Sequence, residues 1–580
     1  MQRFLLLFFI IAGLSVQGQV YNNEWIDYNK TYYKFKVGTT GLYRITFNDL
    51  STMGISSAPA EHFQLWRNGK EIPLYTTSAS GQISADGYLE FWGERNDGKP
   101  DTKIYQVPDY QLSDKISLQT DTAAFFLTVN PGGGNLRLAE TVNNVAGNIL
   151  PKEEYFMHTE GNYFRNKIHA GHAVNVGEFL YSSAYDKGEG WSSADLRHNT
   201  FINYTNSNLF VYTGGPDATI SYAASGNAFY PRKIGVSINN VVIDTMQQMN
   251  FMTYTKASFP VPISVISSNS AAISFDDITT FTSDRMVIAR SELTYPRLFN
   301  FGGSRNFAFK LPANSLGNYL EISNFNFGGQ APVLYDLTNG KRYVADITAA
   351  PLLKVVLEPS TSERDLVLVN QTATNILPVT GGFITKNFID YGISSNQGDY
   401  LIITNSKLRQ GQGGADPVEE YRQYRSSGIG GGYNAKIYDE QELTDQFAFG
   451  IKKHPIAIRN FILYTRATYS VAPRFVFLIG KGVTYNQYRT GESNPDMEKL
   501  NLVATFGNPA SDNLFTSNPG SSQPQIPIGR IGAISTAEVS AYFNKVKEYE
   551  QHQAYSSPII DDKDWMKNVV HIIGASEGGL

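Results

Sequence analysis

Cysteine is absent from all 580 residues. Within them there is no disulfide framework, thiolate-bound zinc, iron–sulfur cluster or cysteine nucleophile. Charge is sparse, at 17% of residues against 42% hydrophobic, a balance that supplies several cores and excludes a disordered chain. No excess of positive charge exists either: the formal net charge of −5 leaves no basic footprint, which excludes nucleic acid as a partner. Apolar runs are short. The amino-terminal run, Phe4 to Ala12, falls well below the ~20 residues of a spanning helix. There is no repeat of fixed period and no low-complexity linker.

Aromatic residues and glycine are abundant, with 35 Tyr, 35 Phe, 5 Trp and 51 Gly. This is the usage of β-rich extracellular modules, whose strands favour aromatics and whose turns need glycine. Residues 1–18 carry Arg3, the apolar run, then small and polar residues up to Gly18, the layout of a secretory signal peptide. Cleavage is expected near Gly18, so the chain is expected to be exported.

Two β regions follow, 19–145 and 146–392. In the first, Tyr32–Val37 and Leu42–Phe47 alternate around Gly38–Gly41 and predict a hairpin. Asn48 or Asp49 is placed to cap a short helix. Asn68-Gly69 between Phe63–Arg67 and Lys70–Leu74 is a strong hairpin signal. In the second, Val236–Ile238, Ala272–Phe275 and Leu366–Val369 are strands between turn clusters, the spacing of β-sandwiches. The idiom changes near residue 393. Tyr400–Thr404, Ala435–Tyr438, Arg474–Gly480 and Asn568–Gly574 read as buried strands, while Val418–Arg425, Asp439–Phe449, Ala457–Thr468 and Val539–Tyr549 read as helices. Such alternation means an α/β sheet with right-handed crossovers. The fold class is therefore multidomain, with β-rich, sandwich-like amino-terminal modules ahead of an α/β domain over 393–580.

Candidate sites are few. Gly480-Lys481-Gly482 follows a buried strand but lacks the rest of a phosphate-loop fingerprint, so it reads as a strand-end loop lining a cleft. His169 and His172, with Glu160 and Glu178 nearby, lie among glycines rather than on a helix, which favours surface histidines over zinc ligands. Asp512, in a loop with Ser511 and Asn513, either caps a turn or ligates calcium. It is the candidate for a metal, and no other cofactor is expected. Asp561, Asp562 and Asp564 read as a solvated turn. Arg530 ends a short strand as a cleft residue or an ion-pair partner. Glu577, between a strand end and two glycines, stands where catalytic carboxylates are often placed.

Taken in order, Phe475–Gly480, Ser511-Asp512-Asn513, Ile528-Gly529-Arg530-Ile531, Lys545–Glu550 and Ile573–Gly579 resemble the first part of the gingipain (C25) cysteine peptidase domain. Trp25–Tyr28, Gly41–Ile45 and Tyr88–Gly93 resemble the leading region of the PorU-type sortases of type IX secretion. The resemblance implies a partial, caspase-like α/β peptidase domain with a His–Cys dyad, in which Glu577 orients the imidazole. Both dyad residues are expected downstream of Glu577, so the chain is read as an amino-terminal fragment. It further implies a sortase that removes carboxy-terminal signals from secreted cargo and attaches the cargo to the cell surface. Its partners would be cargo proteins and outer-membrane secretion components, with lipopolysaccharide as acceptor. The rival reading is a non-catalytic β-rich secretion or adhesion scaffold. A third, a carbohydrate-binding surface protein, rests on aromatic richness alone.

Overall fold

A computed structural model describes residues 20–569, apart from 172, 176–178, 249–253 and 556. The first module is a sandwich. One sheet orders Thr380–Asn387, Thr31–Val37, Ala123–Val129, Phe63–Arg67 and Lys70–Ile72; the other orders Ile376–Leu377, Gly41–Thr46, Tyr88–Gly93 and Tyr75–Thr76. Between them lies a core that includes Phe35, Val37, Tyr43, Ile45, Leu65, Phe91 and Phe125.

The expected hairpin across Gly38–Gly41 is not formed. Strands 31–37 and 41–46 belong to opposite sheets, because their apolar faces are both buried by facing each other across the core rather than by pairing edge to edge. Gly41 is needed on the far side, where a Cβ would meet Leu377 Cδ1 at 2.6 Å. The Asn68-Gly69 hairpin is present, with both residues at positive φ. The short helix Phe47–Thr52 is capped by Thr46, not by Asn48 or Asp49. Thr46 accepts from the Asp49 amide, and Asp49 reciprocates in a capping box.

A second sandwich spans residues 156–297. Its sheets cross the core at Ile220, Tyr222, Val236, Ile273 and Phe275. The third module joins the five-stranded sheet containing Asn306–Leu311, Arg364–Val369 and Val333–Asp336 to the pair Asn318–Ile322 and Leu353–Leu357. Its outer face packs on the first module through Leu42, Val333, Tyr335 and Val367.

The α/β region holds four parallel strands in the order Ala435–Asp439, Tyr400–Thr404, Phe475–Ile479, Ile528–Ile531. Alternate side chains of the central strand serve two cores. Tyr400 and Ile402 pack with helices Pro417–Ser426 and Thr536–Ala554, whereas Leu401 and Ile403 pack with Glu440–Phe447 and Ile456–Thr468. Burial on both faces explains why these strands are continuous apolar runs. Asp416, Asp439 and Ser535 cap three of the helices with side-chain oxygens on backbone amides. Among the described residues no helix is long and apolar enough to cross a membrane.

Candidate functional site

In an open parallel sheet the ligand crevice lies beyond the carboxyl ends of the strands, where successive crossovers leave for opposite faces. Here that place is beside strands 400–404 and 475–479, whose neighbours on either side are strands 435–439 and 528–531.

The loop after strand 475–479 is held by backbone bonds from Gly480 and Lys481 to Ile531 and Ala533 and by one side chain that gathers several segments. Arg530 donates from Nε and Nη2 to the two carboxylate oxygens of Asp512, each at 2.8 Å. Its Nη1 also donates to the carbonyls of Gly480 and Val503, and Nη2 to that of Ala504, all at 2.8 Å. A planar fork suits this bidentate geometry, and it ties three loop segments to the end of strand 528–531. The backbones come too close for side chains. A Cβ on Gly480, whose φ is +144°, would meet Val503 Cγ2 at 2.7 Å, and one on Gly482 would lie 2.6 Å from the Val503 carbonyl. Beside this loop opens a cavity of about 510 Å³ lined by Lys481, Val483, Gln487, Thr490, Met497 and Leu500 among others. Lys481 is thus a cleft residue, as its strand-end position implies.

Asp512 is engaged at both oxygens by Arg530. Among the described residues no group of three His, Asp or Glu side chains is gathered that could hold a metal ion. Glu577, His172 and Glu178 lie outside the described residues, as does the amino-terminal segment 1–18. His169 is no surface residue: it is 4% exposed on strand Lys167–His169. Burial pushes its pKa down to about 4. Glu160 pairs with His158 instead, at 3.6 Å. Asp564 pairs with Lys567 in the exposed turn Asp561–Lys567.

Sequence reasoning missed two buried acids. Asp101, fully buried in a turn of the first β region, accepts from His454 Nε2 at 3.1 Å and from the Leu118 amide at 2.6 Å. The Ile456 amide donates to His454 Nδ1 at 3.2 Å, so the imidazole proton is on Nε2. With both side chains out of reach of solvent, this pair fastens the β region to the α/β region rather than meeting a substrate. Glu189 is also buried, and accepts from the Tyr485 hydroxyl. Loss of solvent pushes its pKa up to about 8. These partners are separated by 353 and 296 residues, so no local spacing could have revealed them.

Comparison with known proteins bears on the α/β region first. Residues 393–579 match peptidase family C25, as the motif series implied. Over the larger part of the chain the fold is similar to the crystal structure of dimeric latent PorU from Porphyromonas gingivalis. The TM-score is 0.57 at 12% identity, covering 90% of this chain and 49% of that one. The chain thus spans about half the length of that relative. At this identity the likeness establishes the fold alone: β-rich modules leading into an α/β region, the part that matches the C25 family. A carbohydrate-binding module, CBM36 in complex with calcium and xylotriose, aligns over 23% of this chain at 13% identity, covering 98% of its own length. Its TM-score of 0.16 carries no weight. No curated protein matches the chain.

Proposed function

We propose that this chain forms part of an exported gingipain-like cysteine peptidase acting as a type IX secretion sortase, which removes carboxy-terminal signals from cargo proteins and attaches the cargo to the cell surface. The observation that carries the reading is the C25 match over 393–579, on a parallel sheet whose strand-end loops are pinned around a cleft. In such an enzyme the His takes the proton of the Cys thiol and the thiolate attacks the cargo carbonyl. The peptide C–N bond breaks and the signal leaves as an amine protonated by the His. An amine or water then resolves the acyl-enzyme and restores the thiol. The chain's own part is to position. Arg530 fixes the loops, the cleft beside Lys481 offers room for an extended peptide, and Glu577 would orient the imidazole. Outer-membrane secretion components are the expected neighbours and lipopolysaccharide the expected acceptor.

The experiment is to read the genomic frame past codon 580 and express the whole frame with a cargo protein that carries its carboxy-terminal signal. The reading expects a strand-end His and a later Cys, signal removal by the wild type, and uncleaved cargo with that Cys changed to Ala. A frame with neither residue overturns the enzyme and leaves the non-catalytic scaffold, which the absence of cysteine from these 580 residues would then explain.

A further inference from the structure

A second cavity, of about 240 Å³, lies where the first β module meets the α/β region. It is smaller than the roughly 300–1,000 Å³ of sites for drug-sized ligands. One wall comes from strands 31–37 and 380–387; the other comes from the start of helix 440–447, the turn after strand 400–404, and residues 450–453 and 498–502. Its charge is lopsided, because six lysines line it against three carboxylates.

Each carboxylate is already taken. Asp445, 1% exposed, pairs with Lys34 and with Lys386, the latter at 2.6 Å. Glu440 pairs with Lys453 at 3.2 Å, and Glu498 with Lys452 at 2.5 Å. Lys36 and Lys407 remain, with no ion-pair partner among the described residues. Lys36 pays for this: partial burial and then the nearby charges of Lys34 and Lys452 hold its pKa below the usual lysine value. A third unmet group shares the wall. Thr444 is 6% exposed, and its hydroxyl has no hydrogen-bond partner. A buried hydroxyl without a partner costs about 1–3 kcal/mol, and the like charges of Lys34 and Lys452 act on Lys36, a repulsion that an anion in the cavity relieves.

The geometry points to a phosphate-binding site between the first β module and the α/β region, built by Lys36 and Lys407 with the Thr444 hydroxyl and open to inorganic phosphate or a phosphomonoester. The excess of positive charge favours a dianion over a single carboxylate. The site is distinct from the cleft beside Lys481 and does not depend on the peptidase reading. An anion held there bridges the two regions, since Lys36 belongs to one and Lys407 to the other.

The test is calorimetric titration of the full chain with inorganic phosphate and with phenyl phosphate at constant ionic strength, with acetate and chloride as controls. Saturable one-site binding of phosphate is expected, weakened at least tenfold in Lys36→Ala/Lys407→Ala and unchanged in Lys499→Ala, an exposed lysine elsewhere. Phenyl phosphate competing for the same site marks the ligand as a phosphomonoester; binding of inorganic phosphate alone marks it as the free ion. Heat that follows ionic strength only, binding of acetate as tight as phosphate, or equal phosphate affinity in the double variant overturns the site. Both lysine side chains reach solvent, so the variant is expected to fold, and hydrogen exchange at Thr444 gives a second readout. Its amide should gain protection with phosphate in the wild type and not in the double variant.

Discussion

Glu189 shows what one buried side chain does to the behaviour of a junction. Its carboxyl lies between the second sandwich and the α/β region, with the Tyr485 hydroxyl on one oxygen and the Asp186 amide at 3.0 Å on the other. Burial raises its pKa from 4.5 to about 8, so the folded state holds a proton that the unfolded state releases. Stability from this group is present in full below pH 4.5 and is lost as pH rises to about 8, by at most about 1.36 kcal/mol per unit. His169 acts in the opposite sense. Its pKa falls from 6.5 to about 4, so its contribution is lost as pH drops through that window. The two slopes oppose each other below pH 6.5 and leave a net decline between 6.5 and 8. Glu189→Gln removes the proton exchange. The expected result is that the stability of wild type minus variant, read from hydrogen exchange over residues 185–191 and 485–490, falls across pH 4.5–8. A difference that stays level with pH would contradict the assignment.

At the scale of elements, the strand-end loops depend on Arg530. Arg530→Ala removes five hydrogen bonds at once and leaves Asp512 and three carbonyls without their donor. With Asp512 24% exposed and Arg530 12%, the cost is about 2 kcal/mol. Exchange protection in 480–483 and 502–506 should therefore fall on the order of 30-fold, at 1.36 kcal/mol per factor of ten. Arg530→Lys keeps the charge and loses the fork, and should lie between. Equal protection in all three proteins would show that the loops hold themselves.

Elements of this region were legible in the sequence because period and caps agree. Asp439 opens a helix, Ile458, Phe461, Ile462 and Thr465 fall on one face, and Tyr400–Thr404 is apolar throughout. The cleft position of Lys481 followed from the strand end. Of the two readings open to Arg530, the ion pair is present, with Asp512, whereas Arg530 is not among the residues that line the cavity beside Lys481. What alternation could not reveal was which strand pairs with which. Strands 31–37 and 41–46 look like a hairpin by pattern, yet a sandwich buries the same two apolar faces by placing them on opposite sheets. The Asp101–His454 and Glu189–Tyr485 contacts were hidden for a simpler reason, as long-range pairs leave no local period.

The whole molecule is stitched by buried charge rather than by apolar contact alone. Arg489, 1% exposed, donates to Asp121 at 2.5 Å and to Glu492, and both it and Arg165 approach the face of Trp191, at 5.8 and 5.1 Å. Without Arg489, Asp121 and Glu492 keep Arg165 as a partner, so the loss is that of its charged hydrogen bonds and its packing on Trp191, about 1.5–3 kcal/mol. Arg489→Ala should thus loosen the β regions from the α/β region without unfolding either. Expected is a larger radius of gyration in solution scattering with unchanged circular dichroism. An unchanged radius would place the hold elsewhere.

The strand Thr380–Asn387 completes the first sandwich by pairing with Thr31–Val37, with Thr31 and Asn387 joined across 356 residues of chain. During synthesis or export from the amino terminus, the module that emerges first is therefore the last β module to be finished. Until residue 387 has emerged, strand 31–37 presents an unpaired edge, and closing so long a loop is a slow step in folding. The order of emergence and the order of completion run in opposite directions, so that edge stays open in the interval.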